Sequence, residues 1–130
     1  MNDTELYEFD RTGYVVIKNM LTAEQVASLS AAIDALETHA VARVNDPPRK
    51  KSPWGPEYHQ NPDLGYHAQG SYSEGETIII EDYWNADSAF DVLIGHEPSM
   101  RYVSAVIKGR PTINNSEIRI RYRGNLTGSH

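Results

Sequence analysis

The sequence predicts an α+β fold with helices toward its start and strands toward its end. Three features lead there. A long run with helical apolar spacing follows a capping signal at Thr22. Short β-branched runs occupy residues 14–17 and 77–80. Residues 115–123 alternate apolar and charged side chains at the two-residue period of a strand.

In chain order, residues 3–11 read as a short helix. Asp3 or Thr4 serves as its cap, and Leu6 and Phe9 form a small apolar stripe. Gly13 ends it, and Tyr14-Val15-Val16-Ile17 then reads as a buried strand. Thr22, with Gln25 three residues on, forms a capping box that satisfies the free amides of a helix start. Val26, Leu29, Ile33, Leu36 and Ala40 place one apolar stripe along the helix at residues 23–43, and Asp46-Pro47-Pro48 stops the chain from continuing it. Residues 45–75 are rich in Pro, Gly, Asn, Ser and charge and read as a long loop. Its aromatics Trp54, Tyr58, Tyr66 and Tyr72 suit either a lid over a substrate or anchors that pack the segment down. A strand at 77–80 follows, then a short helix ending at Gly95, then a second from Pro98 to Gly109. In the last strand Ile118, Ile120 and Tyr122 share one face, and Glu117, Arg119, Arg121 and Arg123 the other. Three strands this far apart make a poor sheet, so either further strands come from outside these residues or the unit is a small α+β domain.

The bulk numbers narrow the function. The chain of 130 residues suffices for one domain with a modest core. A net charge of −6 disfavours a nucleic-acid surface. The chain has no cysteine, which excludes disulfides and thiolate metal sites and favours a reducing compartment, the cytoplasm. No apolar run has the length of a membrane span, and the acidic N-terminus is not a secretory signal. The expected partner is a small molecule, with no nucleic acid and no membrane.

Metal chemistry needs several ligands on one point. For non-haem iron the usual set is two His and one carboxylate with positions left open. His39, His59, His67 and His96 are scattered and begin no His-x-Asp or His-x-Glu pair, so surface or structural roles are expected for them. Nucleophile-elbow, P-loop and dinucleotide signatures are absent. Glu81 and Asp82 follow a strand, where acid–base groups sit, but the polar turn after them favours a solvated role. The arginine face is the strongest local signal. Guanidinium groups grip carboxylates bidentately, so Arg119, Arg121 and Arg123 suit an anionic cosubstrate, or else a charged face that blunts strand pairing.

The opening phrase Phe9-Asp10-Arg11-Thr12-Gly13-Tyr14-Val15-Val16-Ile17, followed by a turn and the capped helix from Thr22, resembles the start of phytanoyl-CoA dioxygenase-like proteins. Residues 93–130 are also similar: a short helical pair, a basic strand, and a glycine-containing turn leading to His130. The resemblance leaves the middle loop unmatched. It implies a double-stranded β-helix of the jelly-roll, cupin-like type, preceded by helices, and an Fe(II)- and 2-oxoglutarate-dependent dioxygenase that hydroxylates a small organic substrate. It implies His130 as the first iron ligand, although Gly128-Ser129-His130 is also the kind of tripeptide a cloning junction leaves. Arg119 or Arg121 would touch 2-oxoglutarate. The carboxylate ligand, the second His and the cosubstrate-gripping Arg would lie beyond His130. Residues 1–130 are then the N-terminal portion of one oxygenase domain: a helical opening at 1–44, a long loop at 45–75, and strands with short helices at 76–130. Alone they would be inactive and hold iron weakly. The other reading is a non-enzymatic α+β domain that binds an anionic ligand or a protein partner.

Overall fold

The computed structural model describes residues 1–53 and 55–125. Helix α1 spans Asp3–Thr12 and α2 Ala23–Arg43. Strands β1 (Arg49–Lys51), β2 (Glu57–Gln60), β3 (His67–Gly70) and β4 (Thr77–Glu81) follow. After two 3-10 turns come α3 (Asp91–Ile94), α4 (Glu97–Val106) and strand β5 (Glu117–Arg121). The strands form one five-stranded antiparallel sheet in the order β1-β2-β3-β4-β5. The α+β class expected from the sequence is therefore present.

The sheet corrects one expectation. Residues 45–75, read as a loop, contain three of its strands. They escape notice because each is three or four residues long, polar, and low in β-branched side chains. Turn chemistry holds them in register. Asn61 Oδ1 accepts from the amides of Asp63 and Leu64, at 3.1 and 2.8 Å, and folds β2 back on β3. Among the described residues the sheet thus has five strands rather than the three expected.

Helix α2 covers one face of the sheet. Thr22 and Gln25 form the expected capping box, with bonds of 3.1 and 2.8 Å. Leu29, Ala32, Leu36 and Ala40 are buried on that helix and pack with Tyr66, Ala68, Ile78, Ile80 and Phe90. Ala32 was not in the expected stripe, whereas Val26 is 49% exposed and Ile33 is only partly buried. The buried row starts one turn later than the periodicity suggests. At the far end of β5, Tyr122 donates to Glu37 at 2.9 Å and ties that strand to α2. Burial first, and then the Glu37 carboxylate, raises the Tyr122 phenol above its ordinary value.

The run at 14–17 is not a strand. It belongs to no ladder, with Tyr14 65% and Val16 73% exposed. Thr12 Oγ1 lies 2.7 Å from the Glu8 carbonyl and 2.9 Å from the Tyr14 carbonyl, local contacts that tie this segment to the end of α1. β-branched composition favours a strand only where a neighbour is there to pair with.

Helix α1 is capped by Asn2 rather than Asp3 or Thr4. Asn2 Oδ1 accepts from the Glu5 amide at 2.9 Å, and Glu5 Oε2 accepts from the Asn2 amide at 2.8 Å. Gly13 takes a left-handed φ of 81° at the other end, as expected of a C-cap glycine. Tyr102 of α4 donates to Glu5 at 3.1 Å. The Asn2 amide, and after it the Tyr102 hydroxyl, lower the Glu5 carboxyl below its ordinary value. A carboxyl lowered in the folded state stabilises above its unfolded pKa and stops doing so as pH falls through the folded one. Amide-exchange protection, taken relative to the intrinsic rate, should therefore be lost in α1 more than in α2 as pH falls below the ordinary glutamate range, and Glu5→Gln should flatten that difference. Equal acid sensitivity of the two helices would contradict the assignment.

Candidate functional site

The strands alternate cleanly. His59, Ala68, Ile78 and Ile80 are buried beneath α2, while no residue on the opposite face is buried. The register aligns that open face into rows. Glu117, Glu81, His67 and Gln60 lie opposite one another in sequence across β5, β4, β3 and β2. The next row runs Arg119, Ile79 and Gln69, and the one after pairs Arg121 with Thr77. One end of the face is acidic and the other basic.

At the basic end, the two strand arginines differ. Arg119 is tied to Glu117 on its own strand, with a second contact of 3.1 Å, and this carboxylate raises the guanidinium pKa. Arg121 makes no ion pair among the described residues. Beside it, Thr77 Oγ1 is buried without a hydrogen-bond partner among the described residues. Arg123 lies outside the strand, largely in solvent and 4.0 Å from Glu74. The expected row of three arginines thus reduces to two, of which one is free to meet an anion.

At the acidic end, a cleft of about 320 Å³ opens between β2, β3 and β4. His67 Nδ1 stands 3.4 Å from Asp82, and the Tyr58 ring packs on the His67 ring at 4.9 Å. Glu81 and Gln69 complete its floor. Asp82 holds a left-handed φ of 56°, where Asp and Asn are the tolerated side chains. Reading residues 45–75 as loop hid this grouping. The signals that would have revealed it are the Asn61-Pro62-Asp63-Leu64-Gly65 turn and the short polar runs on either side of it.

The other histidines are held by protein groups. His39 Nδ1 lies 2.8 Å from the hydroxyl of fully buried Tyr66, whose pKa burial raises. His59 Nδ1 donates to the Asp46 carbonyl at 2.8 Å, and His96 Nδ1 meets Ser99 Oγ at 2.7 Å at the start of α4. Among the described residues no group of three His, Asp or Glu side chains is placed to hold a metal. They do not make an iron site. His130 and Trp54 lie outside the described residues. Nor, among the described residues, is any helix long and apolar enough to cross a membrane.

No protein-family model, no curated protein and no solved structure matches the chain.

Proposed function

We propose that these residues form the cosubstrate wall of an Fe(II)- and 2-oxoglutarate-dependent dioxygenase that hydroxylates a small organic molecule, and that the sheet is one wall of a jelly-roll barrel. The observation that carries this reading is the asymmetry of the sheet. One face is sealed by α2, while the other is open, polar and basic along β5. Such a face suits the inside of a barrel that holds a dicarboxylate. The resemblance of the opening phrase and of the basic strand gives the cosubstrate its name. Arg121, with Thr77 Oγ1 beside it, is the better-placed anion ligand, and Arg119 is a weaker one because Glu117 competes for it. In this reading the iron ligands lie outside the described residues, with His130 as the first.

The test uses the natural polypeptide that carries these residues, assayed for Fe(II)-dependent conversion of 2-oxoglutarate to succinate. Arg121→Ala should raise the KM for 2-oxoglutarate by about 10–100-fold, the effect of losing charge-assisted hydrogen bonds worth about 1.5–3 kcal/mol. Arg119→Ala should raise it less, and His130→Ala should abolish iron binding. An Arg121→Ala enzyme with unchanged KM would remove the open face from the site.

A second reading has its own support. The sheet and its core are assembled from neighbouring segments, as an independent α+β binding domain would be. It predicts that 2-oxoglutarate is not consumed, while anions still bind at Arg121.

A further inference from the structure

We infer that β5 pairs edge to edge and antiparallel with β5 of a second copy of this chain, in the register that sets Glu117 opposite Arg121. The inference goes beyond the oxygenase reading and uses no part of it.

Among the described residues β5 is an outer strand of the sheet, with β4 on one side only. Backbone groups along an antiparallel strand point alternately toward and away from the neighbour. Asp82 donates to the Ser116 carbonyl at 3.3 Å and Tyr122 to the Glu76 carbonyl at 3.4 Å, so the even-numbered residues of β5 turn theirs to β4. The N–H and C=O of Glu117, Arg119 and Arg121 therefore point outward, and no backbone bond from another described segment reaches them. Such a row is a template for another strand. Charge of one sign is the usual guard. The opposite edge has it: β1 is Arg49-Lys50-Lys51, exposed throughout, and repels a copy of itself at every position. β5 carries both signs.

Antiparallel self-pairing about a twofold axis at Arg119 uses all five residues of the strand. It sets Glu117 opposite Arg121 twice, Ile118 opposite Ile120 twice, and one Arg119 opposite the other. Opposite charges in directly opposed positions stabilise a sheet, and like charges destabilise it. Arg119 against Arg119 is the one like-charged pair, and each is already countered by Glu117 on its own strand and by nearby Glu81. Arg121, which makes no ion pair among the described residues, gains a carboxylate. The isoleucines, only partly buried where they stand, cover each other. An axis at Ile120 would face Arg119 with Arg121 twice, and one at Ile118 would leave Arg121 opposite Asn115. Only the axis at Arg119 gives Arg121 an acidic partner. The contact is small, so the dimer is a weak one. Arg121 is shared with the anion proposed above, so a dicarboxylate bound there competes with the pairing.

The experiment is sedimentation equilibrium on the natural polypeptide up to about 1 mM, with Glu117→Arg, Arg121→Glu and an equimolar mixture of the two variants. The parent should dimerise reversibly, and less so in high salt. Each variant alone sets like charges opposite each other twice and should dimerise at least about tenfold more weakly. In the mixture the charges are complementary again, so heterodimers should form. A contact between the Ile118 and Ile120 Hα protons, seen by NMR only across differently labelled parent chains, should fix the register without any variant. A parent that stays monomeric would overturn the proposal, and so would a dimer unchanged in both variants. A monomer whose Arg119 amide resists exchange would overturn it too, by placing another strand of the same polypeptide on this edge.

Discussion

Replacing Gly70 with alanine should destabilise the protein by on the order of 4 kcal/mol. Gly70 closes β3 at a φ of 102°, where side chains are strained. A Cβ there would stand 1.9 Å from the carbonyl oxygen of Thr77 and 3.0 Å from its carbonyl carbon. Both atoms are backbone of β4, so no side-chain rotation relieves the contact. Relief requires β3 and β4 to separate at the end where Gly70 faces Ile78. The expected loss combines about 1–3 kcal/mol of backbone strain with about 1–3 kcal/mol of forced displacement. Against a typical total of about 5–15 kcal/mol, this removes a large share of stability. Urea unfolding should show a lower midpoint with little change in slope. Gly55 has a similar φ of 103° but its added Cβ would meet nothing within 4 Å, so its change to alanine should cost only the strain share, about 1–3 kcal/mol. Equal losses at both positions would show that the β3–β4 contact is not the cause.

Phe90→Ala should cost about 3–5 kcal/mol, the range for truncating a fully buried aromatic side chain. Phe90 is 1% exposed and meets Tyr83 edge to face at 4.8 Å. It seats the 3-10 turn Ser88–Phe90 in the core shared by α2 and the sheet. Removing the ring opens a cavity that neighbours on three different elements cannot close together. Phe90→Leu should recover most of the loss. Val16→Ala, at a side chain 73% exposed, should fall within about 0.5 kcal/mol of the parent. A small effect at Phe90, or a large one at Val16, would mean that the core is drawn around the wrong residues. The latter would restore the strand expected at 14–17.

That pair of substitutions marks where sequence patterns carry structural information. Helix α2 is legible because its capping box and apolar period are both local, needing nothing beyond the segment itself. Strand β4 is legible because Thr77-Ile78-Ile79-Ile80 is a β-branched run, and β5 because Ile118 and Ile120 alternate with charged residues. The run at 14–17 has stronger β propensity than β1, β2 or β3, yet only the last three find partners. Pairing is a tertiary property, and the tight turn at Asn61 and the close approach at Gly70 decide it in 45–75.

The site divides along the same line. The charged face of β5 follows from alternation, and even the Glu117–Arg119 contact is implied by their two-residue spacing on one face. Which arginine remains free depends on what stands opposite, and that required the register. The acidic cleft was illegible because Tyr58, His67 and Glu81 come from three strands, two of them unrecognised. Only the antiparallel register brings them side by side.

The central claim is that the open face of the sheet holds 2-oxoglutarate. It is tested most directly by measuring 2-oxoglutarate binding to the natural polypeptide by calorimetry, in the parent and in Arg121→Ala. The account predicts stoichiometric binding that weakens about 10–100-fold on losing Arg121 and falls with added salt. Binding of 2-oxoglutarate with the same affinity in both proteins would contradict it, as would no binding to the parent.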